Sequence, residues 1–179
     1  SFDYDISTFR MLGQLHGMTI CDRVSRWLST PIDLSKPWLV AEEDKRTNGK
    51  ILISRGPRWQ GYWFPWRQLV NTFRNDMIFV GLDEDYHDFT GKYGSVERIK
   101  TADLYDVAKL IQGSSLFIAN QSSPNAICEG LQKDNILEVC LHAPDCIYFR
   151  KNSIYVYDGE LEFTFNDKHF RSEKFSEGV

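Results

Sequence analysis

The stretch LFIANQSSPNAICEGL, residues 116–131, decides how the chain reads. Four apolar residues without alternation (Leu116–Ala119) stop at a polar, proline-broken turn, and an apolar, helix-spaced pattern restarts at once. A run buried on both faces followed directly by a helix is the signature of a strand–loop–helix unit in a parallel sheet. The turn allows two readings. Ser122 or Ser123 caps the helix that Pro124 opens, or the loop and the free N–H groups of the helix start hold an anion.

The same unit repeats outward from there. ILIS (51–54), MIFVG (77–81), VERI (96–99) and NILEVC (135–140) read as strands. Between them lie helical patterns. PWRQLVNTFRN carries Trp66, Leu69, Val70 and Phe73 on one face behind a starting proline, and DEDYHDFTGKYG reads as a short acidic helix. TADLYDVAKLIQGS should be capped by Thr101 or Asp103 at its start and by Gly113 at its end. Strands alternating with helices at this spacing predict an α/β, Rossmann-like parallel sheet covered by helices on both faces. After residue 145 CIYFR, SIYVYDG and LEFTF follow without helical patterns between them, which predicts a short β-hairpin or meander at the sheet edge. Upstream, CDRVSRWL has helical spacing at Val24, Trp27 and Leu28, then STPIDLSKPWL and AEEDKRTNGK read as linker and solvated loop. Three regions are expected: a lead-in helix and linker over 1–48, the Rossmann-like domain over 49–145, and the hairpin or meander over 146–179.

Composition sets the limits. The 179 residues suffice for one domain with a full core. With 42% apolar and 26% charged residues the chain is globular in type. A net charge of −4 lacks the basic excess of a nucleic-acid binder. No apolar run reaches the length of a membrane span, and SFDYDISTFRM does not read as a signal peptide. Cys21, Cys128, Cys140 and Cys146 show no close pairing, which predicts reduced thiols and a cytoplasmic protein.

In an open parallel sheet, ligands bind outside the carboxyl ends of the strands. Three loops qualify, after Ile53, Val80 and Ile118. The last supplies Asn120, Gln121, Ser122 and Ser123. The first supplies Ser54, Arg55 and Arg58; an arginine grips phosphate with paired hydrogen bonds, or else packs on Trp59 or Trp63 at the surface. Cys140, His142, Asp145 and Cys146 stand close in sequence but match no common metal-ligand spacing. His16, His87 and His169 are isolated. Asp83, Glu84, Asp85 and Asp88 read as a solvated helix face, and neither a dinucleotide fingerprint nor a phosphate-loop lysine motif is present.

RVSRWLSTPIDLSKPWL, the FPWRQLV helix start, IFVG and TADLYDVAKLIQGSSLFIANQSSPNAICEGL together resemble the C-terminal half of a GT-B glycosyltransferase. The nearest family is the ADP-heptose:lipopolysaccharide heptosyltransferases and their relatives. The resemblance covers about residues 20–145. It implies a nucleotide-sugar-binding domain that needs no further cofactor, the nucleotide-sugar being a substrate, and the acceptor is left open. It also implies that Thr101, Asp103 and Leu104 lie near the nucleoside. Gln121-Ser122-Ser123-Pro124, with Ser54 and Arg55 or Arg58, would then lie near the diphosphate. Gln121, Ser123 and Ala126 depart from the family's Asp, Gly and His at those positions. Members transfer the sugar in a cleft between two halves, so the implied partner is an N-terminal half. The alternative is a non-catalytic interaction or homo-oligomerisation module that keeps the fold and uses the aromatic loop RWQGYWFPW.

Overall fold

The computed structural model describes residues 18–31, 33–143 and 145–172; the opening segment SFDYDISTFRM and His16 lie outside them. The described chain runs α1 (Ile20–Leu28), β1 (Ile51–Ser54), α2 (Trp66–Phe73), β2 (Met77–Phe79), α3 (Asp83–Tyr93), β3 (Glu97–Arg98), α4 (Leu104–Gly113), β4 (Leu116–Asn120), α5 (Ser123–Leu131), β5 (Asn135–Glu138), β6 (Ser153–Val156), β7 (Glu162–Phe165) and β8 (Lys168–Arg171). Strands β1 to β6 form one sheet in the order β3-β2-β1-β4-β5-β6. Every pairing in it is parallel. Among the described residues no helix is long and apolar enough to cross a membrane.

The continuous apolar strands follow from two packed faces. Ile51, Ile53, Met77, Phe79 and Ile118 point to one side, against Trp66, Leu69, Val70 and Phe73 of α2 and Phe89 of α3. Leu52, Ile78, Phe117 and Ala119 point to the other, against Val107, Leu110 and Ile111 of α4 and Cys128 and Leu131 of α5. Alternate residues serve opposite layers, so polar side chains on the two central strands appear only at their carboxyl ends, Ser54 and Asn120. The four residues on one face of α2 are fully buried, as their helical spacing requires.

The C-terminal end differs in part from the sequence reading. Glu162–Phe165 and Lys168–Arg171 do form an antiparallel hairpin. Its turn residues Asn166 and Asp167 both take positive φ, 46° and 62°, the geometry of the tight hairpin turn that matches strand twist. Phe163 and Phe170 meet across it at 5.4 Å and pack on Phe73. Residues 153–156, however, belong to no meander. They enter the main sheet as its sixth parallel strand. CIYFR is not a strand at all; it lies in the connection from β5 to β6. A parallel neighbour normally arrives through a helical crossover, and here an irregular segment performs that return. It is anchored by Arg150, which pairs with Glu129 and donates to the Lys133 carbonyl at 2.7 Å.

Gly113 is a second correction. It is the last residue of α4 and not a left-handed cap beyond it. A Cβ there would stand 2.1 Å from the Asp44 carbonyl oxygen. The glycine permits a close backbone crossing, where Thr47 donates to the Leu110 carbonyl at 2.8 Å. Asp103, one of the two expected caps, does cap the start of α4, accepting from the Asp106 N–H at 2.9 Å.

The linker closes onto α5. The N–H groups of Trp38 and Leu39 both donate to the Gly130 carbonyl at 3.0 Å, and the Trp38 ring stacks on Tyr148 at 5.6 Å. Helix α1 has a capping box between Thr19 and Asp22. Its only buried residue is Arg23, while Trp27 stays partly exposed.

Candidate functional site

Strand β1 lies at the centre of the sheet. The chain leaves it toward β2 and β3 on one side, then crosses to β4, β5 and β6 on the other. Such a reversal opens a crevice at the carboxyl ends of the two central strands. A cleft of about 1160 Å³ lies there, lined by residues from the loops after β1, β2, β3 and β4.

Nine of the ten residues singled out in the sequence line this cleft: Ser54, Arg58, Thr101, Asp103, Leu104, Asn120, Gln121, Ser122 and Ser123. Arg55 does not. Its guanidinium turns inward and forms an ion pair with Glu138, Nε to Oε2 at 2.8 Å and Nη2 to Oε1 at 3.0 Å, with both side chains buried. The expectation that Arg55 meets a phosphate is therefore corrected, since its charge is already balanced inside the fold. Arg58 remains as the basic group of this loop, exposed at the cleft.

The polar residues after β4 divide into scaffold and surface. The Asn120 amide accepts from the Gly56 N–H at 3.2 Å and donates to the carbonyls of Gly56 and Arg58 at 3.0 and 2.5 Å. It therefore clamps the loop after β1 to the end of β4. Gln121 donates to the Ala143 carbonyl at 2.6 Å and accepts from the Cys140 N–H at 2.7 Å, which ties the connection after β5 to the same point. Ser122 occupies the N-cap position of α5, yet its side chain makes no capping hydrogen bond; its hydroxyl donates instead to the Asn120 carbonyl at 3.2 Å. Side-chain capping by Ser122 is thus not what this serine does, and the α5 start faces the cleft.

The loop after β2, one of the three that qualify by position, brings to the cleft the acidic run read in the sequence as a solvated helix face. Gly81, Leu82, Asp83, Glu84 and Asp85 line the cleft, with Arg98 and Lys100 beside them. Asp83 lies 2.6 Å from Arg98 and 3.3 Å from Lys100, and these hydrogen bonds hold its carboxyl below the ordinary range. Asp85 is different. Burial pushes its carboxyl up, against the hydrogen bond it accepts from the Leu82 N–H. The only signal available in the sequence was position, since the acidic run directly follows a strand end. Trp59, read in the sequence as a packing surface for arginine or as part of an aromatic interaction loop, lines the cleft as well.

Cys128 is fully enclosed by α5 and the sheet, and burial pushes its thiol far up. Among the described residues no group of three or more His, Cys, Asp or Glu side chains could hold a metal ion. Asp145 instead pairs with Arg23.

The sequence matches no family model and no curated protein. Among solved structures, the E. coli heptosyltransferase WaaC with ADP superposes at a TM-score of 0.53 and 15% identity, covering 80% of this chain and 50% of that one. The glycosyl transferase family 9 structure from Veillonella parvula superposes at 0.53 and 11% identity, covering 81% and 51%. The chain spans about half the length of each. What it shares with these glycosyltransferases is the fold, a Rossmann-like α/β sheet that makes up about half of either enzyme.

Proposed function

We propose that this chain is a nucleotide-diphosphate-binding domain of a glycosyltransferase-like protein, with a nucleotide-sugar donor held in the cleft at the ends of β1 and β4. The observation that carries the reading is the pairing, in one cleft, of Arg58 with an α5 start that Ser122 leaves without a side-chain cap. The helix offers N–H groups and the positive end of its dipole, and the guanidinium offers paired donors to a phosphate. Thr101, Asp103 and Leu104, which line the same cleft, are the proposed neighbours of the nucleoside. The fold shared with half of two glycosyltransferases supports the same reading. A second half would supply the acceptor side and the general base, so this domain alone would bind the donor better than it transfers the sugar. The place of action would be the cytoplasm.

Thermal shift against ADP, UDP, GDP and CMP is the direct test, because a ligand that binds only the folded state raises its stability. A rise with one nucleoside diphosphate, lost in Arg58→Ala and reduced in Ser122→Ala, supports the proposal. Flat curves for all four at millimolar ligand count against it. One observation favours a second reading, an interaction module: Tyr62, in the same aromatic loop, is 87% exposed and lies outside the cleft lining. Concentration-dependent association in light scattering, abolished by Tyr62→Ser, would support that reading.

A further inference from the structure

Trp59 has an unusual backbone for a bulky residue. Its φ is 56°, in the left-handed region that side chains with a Cβ rarely adopt. The conformation is imposed from both sides. Asn120, itself fully buried, donates from one amide nitrogen to the carbonyls of Arg58 and Trp59 at 2.5 and 3.5 Å. Two residues further on, the Gly61 N–H donates to Glu138 at 2.8 Å. A loop built to minimise strain would carry glycine or asparagine at such a position. Instead the strained residue is an indole, 44% exposed and part of the cleft lining. Strain held in place by a buried clamp is characteristic of residues that present a side chain to a ligand.

Its surroundings narrow the ligand. Leu82 and Leu104, from the loops after β2 and β3, also line the cleft, and both are exposed. Three large, exposed apolar side chains from three separate strand ends thus border the same cleft as Arg58. Arg58, an anion-binding group, precedes Trp59 directly. A ligand that satisfies both features has a flat apolar ring joined to a phosphate.

We propose that Trp59 is a stacking platform for the base of a nucleoside diphosphate, and that Asn120 is the positioning residue that aims it. The inference rests on the nucleotide reading above and assigns the base-binding surface within it. Every base has a π-face, so the platform gives affinity for nucleosides as a class and leaves the choice among bases to other contacts.

Calorimetric titration with ADP, UDP and inorganic pyrophosphate separates the base from the phosphates. Trp59→Ala should weaken ADP and UDP by roughly tenfold or more and leave pyrophosphate unchanged, while Trp59→Phe keeps most of the affinity. Trp59→Gly should weaken the nucleotides as Ala does, yet melt at the same temperature as the parent or higher, because glycine takes this φ freely. Equal losses for pyrophosphate and the nucleotides, or no loss for any of them, would overturn the platform while leaving the nucleotide site standing. A parent protein that binds none of the three brings down the nucleotide reading, and the platform falls with it.

Discussion

Arg55, one residue past β1, and Glu138, the last residue of β5, pair across the end of β4, the strand that lies between β1 and β5. The glutamate also accepts from the Trp66 indole N–H and the Gly61 N–H, both at 2.8 Å. One carboxylate thereby fixes the last residue of β5, the loop after β1 and the start of α2. Replacing one partner leaves the other charged and buried without compensation. Glu138→Ala should cost about 3–5 kcal/mol in urea unfolding, whereas Arg55→Met with Glu138→Gln should recover much of that loss. A double variant no more stable than Glu138→Ala would contradict this.

Asn120 is expected to matter through both ends of its amide. Asn120→Ala loses one acceptor and two well-formed donations to the loop, a change of about 1–3 kcal/mol. Asn120→Asp should be worse, although it is nearly isosteric, because a carboxylate would face the carbonyls of Gly56 and Arg58. Hydrogen exchange over residues 56–61 measures the loosening, and the aspartate variant should exchange faster than the alanine variant.

Asp85 is a carboxylate that burial disfavours at the cleft. A carboxyl raised above its ordinary 3.8 destabilises the fold once the unfolded chain ionises, so its penalty is present at neutral pH and absent in acid. Asp85→Asn should therefore raise the melting temperature at pH 7 and give no gain below the ordinary value. It should also strengthen binding of any diphosphate, by removing a like charge from the same cleft.

The upper end of the pH range has the same sign. Burial raises the Cys128 thiol from 9.0 and pushes the Tyr148 phenol up to about 12. Tyr93 and Tyr155 are raised for the same reason. Above pH 9 the unfolded chain releases these protons and the folded one keeps them, so stability falls as pH rises. Urea midpoints should decline from pH 9 upward, and Cys128→Ala should flatten the first part of that decline.

Gly113→Ala is a sharp test of the backbone crossing at the end of α4. Alanine favours a helix over glycine by about 1 kcal/mol, yet the new Cβ would stand 2.1 Å from the Asp44 oxygen. Net destabilisation of at least ~1 kcal/mol is expected. A stabilised variant would mean that Asp44 moves aside freely.

The central architecture was legible because two-sided burial writes unbroken apolar runs, and Trp66, Leu69, Val70 and Phe73 mark a helix face without ambiguity. The cleft was legible as a place, since strand ends fix it. What each residue does there was not. Arg55 and Arg58 look alike in a basic loop, and only the fold brings Glu138 to one of them across 83 positions. Ser153–Val156 was misassigned because strand patterns do not name their neighbour, and the helix that usually announces a parallel partner is missing before it. Gly113 resembled a cap because composition does not distinguish a residue chosen for its φ from one chosen for lack of bulk. The left-handed Trp59 could not be read at all, being imposed by hydrogen bonds from distant residues.

Helix α1 touches the connection that brings in β6. The Ile20 N–H donates to the Asp145 carbonyl at 2.8 Å, and Arg23 meets the Asp145 carboxylate, 122 positions later. During synthesis the first described helix therefore waits for its partner until nearly the whole sheet has left the ribosome. The core of β1 to β4 assembles from contacts much nearer in sequence, and closing so long a loop is slow by comparison. Docking of α1 is expected late in folding, and in native-state exchange α1 should open ahead of the sheet, as one small cooperative unit with the segment around Asp145.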